Sequence, residues 1–244
     1  MNNIVLSPNI ASLINPGFYE VTDEVVLSHL TNFLGLNPGA KRDLKIIIPN
    51  KGRGMGEFEL NESGKVYVRI TELYTTKNRN VHLAIASARP PMVKRILEHA
   101  TTLGAASFHF FSADLSEKSY FSSKVYENDQ AQKFIEKGMA QCGQFSTYPA
   151  FSKHQKLEDV ITFFSSLNVK QFWLDKDEKK FFDDDASSKE VCLYIGPERG
   201  WSKRELEVFE SSNVLGVKLS DSVMRVEFAI NAAFAQLEYI SNRR

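Results

Sequence analysis

Two different periods of hydrophobic and polar residues divide the chain. Up to residue 74 the apolar positions fall in short β-branched or aromatic runs, DLKIIIPN (43–50), MGEFELN (55–61) and KVYVRITELY (65–74). KGRG and ESG between them supply turn chemistry, so these runs predict strands. VTDEVVLSHLTNFLGL (21–36) predicts a helix ended by Gly35 and the following Asn-Pro-Gly. TTKNRN (75–80) is polar and aperiodic, and marks a linker between a β-rich unit (1–74) and a second domain (81–244).

Beyond the linker, strand and helix patterns alternate. VHLAIASA (81–88), ASFHFFSA (106–113), QFWLDKD (171–177), EVCLYIG (190–196) and VLGVKL (214–219) predict strands. PPMVKRILEHATTLG (90–104), DQAQKFIEKGMAQCG (129–143), LEDVITFFSSL (157–167) and KRELEVFESS (203–212) predict helices, the first two stopped by Gly104 and Gly143. A last helix runs from about Ser222, with Val226, Ile230, Ala233, Leu237 and Ile240 forming a core-facing stripe. Such alternation predicts an α/β domain with a mainly parallel sheet covered on both faces.

Composition narrows the function classes. The 244 residues carry 30 basic and 30 acidic side chains, so bulk electrostatics would not coat a nucleic acid, though a local basic patch can. Cys142 and Cys192 form no CxxC pair, which argues against structural zinc and suits a reducing, cytoplasmic location. No apolar stretch reaches the length of a membrane span. FDDDASS (182–188) reads as a solvent-facing loop rather than a metal site, and His29, His82 and His154 show no catalytic partner spacing.

The chemistry concentrates in two segments. LYIGPERGWSKRE (193–205) runs from an apolar strand into Gly196, Pro197 and Gly200, then restarts as a helix with a Ser202/Glu205 capping box. Strand ends of this kind hold ligands in open α/β sheets, and glycines allow close approach to the main chain. The spacing is neither GxGxxG nor a Walker loop, so phosphate cradling is poorly supported. LSDSVMRVEFA (219–229) places Arg225 in the first turn of the last helix, against the helix dipole, which points to a role elsewhere or to a pair with Glu198 or Glu227.

Together the two segments resemble the signature of the RsmE family of ribosomal RNA methyltransferases, a branch of the knotted SPOUT class. GPERGWSKRE stands for the family's GPEGGF-S-x-x-E, and LSDSVMRVEFA for its LGxRILRTETA. RPPMVKRILEHATTLGA resembles the helix ending in KATELGV, KFIEKGMAQCGQ the EAxEQSGR segment, and LSEKS (115–119) the SERS stretch. The resemblance covers roughly 81–240, and the β-rich start corresponds to the family's PUA-like RNA-binding domain.

The resemblance implies a trefoil knot, a homodimer formed through it, and bent S-adenosylmethionine as cofactor. It further implies methyl transfer to N3 of a uridine in small-subunit ribosomal RNA. Ile195, Gly196, Pro197 and Gly200 would wall the cofactor. Leu219, Val223, Met224 and Val226 would surround it, and Leu174 would close one side. Arg225 would stabilise the uracil anion, with Glu227 orienting it or taking the proton. Lys51 and Arg53 in a basic hairpin tip, Arg89 and Lys118 are the RNA-facing candidates.

The departures lie mostly at charged positions. Arg199 and Ser220 replace family glycines, Ser222 an arginine, Val226 and Phe228 threonines, and Gln144 and Lys118 arginines. Ala140, His99 and Thr102 replace Glu, Lys and Glu. Two other readings follow: a non-catalytic, ribosome-associated paralogue, or a small-molecule α/β enzyme with an anion at the 202–205 helix start.

Overall fold

A computed structural model describes residues 3–7, 19–183, 186 and 190–243. Of the aspartate-rich 182–188 stretch, Asp184, Asp185, Ser187 and Ser188 lie outside the described residues. The chain forms two compact units, Met1–Asn78 with Met139–Tyr148, and Arg79–Gly138 with Pro149–Arg244. A division at the 75–80 linker alone therefore leaves out the 139–148 segment, which packs with the N-terminal residues.

In the first unit, β1 (Ile4–Val5), β2 (Tyr19–Glu20), β3 (Lys41–Ile48), β4 (Gly52–Leu60) and β5 (Val66–Tyr74) form one sheet in the order β1-β3-β4-β5-β2. β4 alternates buried and partly exposed residues along its whole length, as a strand with one face on a core must. Helix α1 (Glu24–Ser28), capped by Asp23 and continued as a π turn over His29–Phe33, seals that core with Leu30 against Ile46, Phe58 and Val68. At Gly54 a Cβ would collide with the Glu72 carbonyl oxygen, so only glycine permits the hairpin to close there. The returning 139–148 segment is fastened by Asn3, which donates to the Cys142 carbonyl, and by Asn50, which donates to that of Ser146.

The second unit is a six-stranded, wholly parallel sheet. Its strands are β6 (Val81–Ala86), β7 (Ser107–Phe111), β8 (Ala150–His154), β9 (Lys170–Leu174), β10 (Val191–Ile195) and β11 (Leu215–Val217), in the order β11-β9-β10-β6-β7-β8. β10 is buried at every residue, the mark of a central parallel strand. One face packs on α4 (Leu157–Ser166) and α5 (Lys203–Ser211), through Ala84, Phe111, Trp173 and Tyr194 against Val160, Phe164 and Phe209. The other carries α2 (Pro90–Thr102) and α6 (Val226–Ser241), which pack on each other, with α6 also on β10. Thus the chain passes edge strand β11 and returns across the sheet before it ends. Helix α3 (Asn128–Gln141) crosses α2 at Gly138, where a Cβ would run into the Glu98 carbonyl oxygen.

Two expectations need correction. Strand β8 is absent from the hydrophobic pattern because AFSKH alternates weakly and no residue of it is fully buried. The last helix begins at Val226 rather than near Ser222, so Arg225 is its N-cap with extended backbone and not a first-turn residue. Among the described residues no helix is long and apolar enough to cross a membrane, and no group of three or more His, Cys, Asp or Glu is placed to hold a metal.

Candidate active site

Loops leaving the carboxyl ends of β9, β10 and β11 meet the first turns of α2 and α6. Together they line a cavity of about 1010 Å³ in the second unit. This is where an open α/β sheet places its ligand.

The β10 loop is built on Trp201. Its indole donates to the Leu174 carbonyl at 3.1 Å, its ring stacks parallel to Phe111, and Phe209 meets it edge-on at 4.9 Å. A Cβ on Gly196 would sit 3.0 Å from that ring, so the main chain itself lies on the indole. The amide of Gly200 donates to the Pro197 carbonyl at 2.9 Å and Gly200 holds φ +74°, which closes the turn. Behind it the capping box forms as the sequence predicts. Ser202 Oγ accepts from the Glu205 amide, and Glu205 Oε2 accepts from the Ser202 amide.

Glu205 is fully buried, and its other oxygen accepts from the Asp114 amide at 3.0 Å. Arg204 grips the Asp114 carboxylate through two nitrogens, at 2.8 and 2.7 Å, and Ser202 donates to it. The guanidinium holds the Asp114 carboxyl below the usual carboxylate range. The start of α5 is thus already filled by the protein's own carboxylates. It leaves no place for a ligand anion, which removes the support for the small-molecule reading.

The second bend, 218–225, is pinned at both ends. Lys218 donates its amide to the Lys180 carbonyl, and Gln236 of α6 donates its side-chain amide to the Leu219 carbonyl at 2.8 Å. Leu174, Ile195, Gly196, Pro197, Gly200, Leu219, Val223, Met224 and Val226 all line the cavity, as do Arg89 and Arg225. Ile195 and Val226 are buried in its wall, whereas Val223 is 77% exposed. The Arg225 guanidinium has no hydrogen bond or ion pair among the described residues.

Glu227 stands apart from this group. Its side chain is buried, one oxygen lies 3.9 Å from Arg95 and the other has no hydrogen-bond partner. The Arg225–Glu227 pair does not form: Arg225 is the extended N-cap on the cavity, whereas Glu227, inside the first turn, is buried facing Arg95. Nor does Arg225 pair with Glu198, which faces Arg89 at 3.8 Å. Lys118 is exposed at the start of a 3-10 turn and is not among the cavity-lining residues. In the first unit Lys51 is exposed in the β3–β4 turn, while Arg53 donates to the Gly143 carbonyl and lies over the Tyr74 ring.

Sequence reasoning missed Met92 and Arg95, which also line the cavity. A signal was present: Val93, Ile96, Leu97 and Ala100 take the core face of α2, which leaves Arg89, Met92 and Arg95 at steps of three on another face.

The lining suits a sulfonium nucleoside. An apolar cleft from Leu174, Ile195, Leu219, Met224 and Val226 can take an adenine ring and a thioether chain, and the two bends supply main-chain groups for the polar edges.

Comparison with known proteins agrees. Residues 75–238 match the RNA methyltransferase domain family. Ribosomal RNA small subunit methyltransferase E 1 of Borreliella burgdorferi is 26% identical over 160 residues, covering 65% of this chain and 67% of that protein. The corresponding enzyme of Treponema pallidum is 26% identical over 173 residues, 64% of this chain and 60% of its own length. The crystal structure of a ribosomal RNA small subunit methyltransferase E from Neisseria gonorrhoeae bound to S-adenosylmethionine superposes with a TM-score of 0.76. It covers 98% of both chains at 16% identity. As the resemblance implies, a β-sheet unit is followed in the chain by a parallel-sheet α/β unit of the SPOUT type. With two signature bends converging on one cavity and the family matched across 75–238, the chain belongs to the RsmE family of RNA methyltransferases.

Proposed function

We propose that this protein transfers a methyl group from S-adenosylmethionine to N3 of a uridine in small-subunit (16S) ribosomal RNA. The observation that carries the reading is the unpartnered guanidinium of Arg225 on the same cavity as the two bends. Bound there, the cofactor supplies a methyl group activated by its sulfonium charge. The bends around 196–200 and 219–224 would hold it and keep water from it. Arg225 would face the uracil edge and stabilise the negative charge that grows on the ring oxygens as the N3 proton leaves. Arg89, on the same cavity, would hold the RNA backbone. Lys51, Arg53 and Lys118 are retained as outlying RNA contacts.

Glu227 is assigned a different part from the one its motif suggests. Buried and facing Arg95, it would set that arginine against the cavity rather than take a proton.

The same reading includes a homodimer in the cytoplasm. Phe228, Ala232, Ala235 and Tyr239 recur at steps of four, three and four along α6, with Phe228 56% and Tyr239 65% exposed. Val223, just before the helix, adds to this apolar face, which a second copy would cover.

Calorimetric titration with S-adenosylmethionine tests the cofactor: saturable binding is expected, and no heat at high concentration would remove the methyltransfer reading. Mapping methylated uridines in ribosomal RNA from cells lacking the gene tests the target. One lost N3-methyl is expected; an unchanged map would favour the non-catalytic paralogue.

A further inference from the structure

We infer that the surface shared by α2 and α3 is a second RNA-binding element, a cationic track that carries single-stranded RNA away from the cavity. The inference rests on the methyltransferase reading and gives a role to residues that the resemblance leaves without one.

The Phe134 ring of α3 lies between two ammonium groups. Lys94 of α2 sits 5.3 Å from its centroid and Lys137 of α3 sits 5.2 Å from it. Lys133 projects one turn before Lys137 and reaches only Gln130, at 3.5 Å. All three lysines are exposed, and none has a carboxylate within 4 Å among the described residues.

The arrangement is also fixed. Gly138 lets α3 touch the α2 backbone at Glu98, and Thr102 Oγ1 donates to the Gly138 carbonyl at 3.1 Å. One turn earlier on both helices stand Lys94 and Phe134, so the crossing sets their separation. The ring attracts both ammonium groups but neutralises neither, so each still favours an anion. A row of phosphates supplies that anion.

The track and the cavity share helix α2. Arg95, which lines the cavity, is the neighbour of Lys94 on α2, and Arg89 lies at the start of the same helix. Of the acids on α3, Glu136 and Asp129 keep their charge, being bonded to the neutral amides of Gln132 and Gln130, but neither forms an ion pair with the three lysines among the described residues. Single-stranded RNA fits better than duplex, because N3 of a paired uridine is inaccessible and an unpaired strand must leave the pocket in some direction.

The test uses the full chain, S-adenosylmethionine and a fluorescent single-stranded RNA bearing the ribosomal sequence that the enzyme methylates. Affinity is measured by anisotropy from low to high salt for wild type and for the Lys94→Ala/Lys133→Ala/Lys137→Ala variant. Each phosphate that a lysine no longer neutralises should reduce the slope of log K against log salt by about 0.7. The triple variant should therefore lose roughly 2 units of slope while its S-adenosylmethionine affinity stays at the wild-type value. A Phe134→Leu variant, which keeps the packing but not the ring's attraction for the lysines, should show a smaller loss in the same direction. An unchanged slope in the triple variant, with wild type binding and methylating the RNA, would overturn the track alone. Wild type that neither binds nor methylates RNA would overturn the methyltransferase reading instead, and the track with it. Equal binding of wild type to vesicles of anionic phospholipid would assign the track to a membrane surface and overturn its reading as an RNA element.

Discussion

The indole of Trp201 donates to the carbonyl of Leu174, 3.1 Å away, and so ties the end of β9 to the loop that leaves β10. That single bond joins two walls of the cavity. It explains why a tryptophan stands at a position that needs only an aromatic or apolar residue: a phenylalanine would fill the space without reaching the carbonyl.

Trp201→Phe is accordingly expected to keep the fold, lose about 1 kcal/mol of stability, and bind S-adenosylmethionine several-fold more weakly. Trp201→Ala should cost about 3–5 kcal/mol, because the ring packs on Phe111 and Phe209. Urea denaturation and calorimetry measure both effects. Undiminished cofactor affinity in Trp201→Phe would show that the bond does not shape the site.

Arg225→Ala should bind the cofactor as wild type does, because the guanidinium holds no part of the protein. Turnover should fall at least ~100-fold, the scale of losing one donor to a developing anion. A wild-type rate in this variant would remove Arg225 from the mechanism.

The pairing of Glu227 with Arg95 rather than Arg225 can be tested by double-mutant cycles. Glu227→Gln and Arg95→Ala should couple by about 0.5–1 kcal/mol in stability, modest because Arg95 is largely exposed. Glu227→Gln and Arg225→Ala should be additive. Coupling of 227 to 225 alone would restore the pair that the motif suggested.

Removing the Glu205 carboxylate should weaken the start of α5 and the Asp114 turn together, since it accepts from the amides of both Ser202 and Asp114 while fully buried. Glu205→Ala is expected to lower stability by roughly 2–4 kcal/mol, with two buried donors left unpaired. A urea midpoint within error of wild type would contradict this role.

A chain of hydrogen bonds away from the cavity gives stability a pH dependence. His154 meets His109 at 3.0 Å, His109 meets Ser107 at 2.9 Å, and Ser107 meets His82, whose other nitrogen meets Glu190, both at 2.6 Å. If each ring is neutral and donates once toward Glu190, every link has one donor and one acceptor. Burial, reinforced by His154 and His82, pushes His109 down to about 3. Burial also lowers His154, against the opposing charge of Asp159. As pH falls below about 6.5 the unfolded chain takes up protons that folded His109 refuses, so stability is lost from there down towards pH 3. By pH 5.5 the loss from His109 should be about 1.4 kcal/mol. Urea denaturation at pH 7.5 and 5.5 should show it, and His109→Leu should flatten the dependence. Equal slopes for the two proteins would contradict the account.

Much of this is legible in the residues themselves. VCLYI is apolar throughout because both of its faces are covered, and Ser202 and Glu205 announce the start of α5 through their spacing. What stays hidden is what depends on contacts distant in the chain. The weakly alternating β8 is a strand because β7 offers it an edge. Arg95 joins the site because α6 brings Glu227 beside it. The histidines look unrelated in sequence because strand register, not spacing, aligns them: His82 stands opposite Ser107 and Phe111 opposite His154. The residue pattern starts the last helix about four residues early, at Ser222, and so sets Arg225 inside it, because the Ser220-Asp221-Ser222 run reads as a cap.

The most direct measurement of the central claim is methyl transfer itself. Purified protein is incubated with small-subunit ribosomal RNA or particles from cells lacking the gene, together with S-adenosylmethionine carrying an isotopically labelled methyl group. The RNA is then digested to nucleosides and resolved by mass spectrometry. The account predicts label in N3-methyluridine from a single site, and none with Arg225→Ala. Label in another nucleoside, or RNA left unlabelled by a protein that binds the cofactor, would contradict it.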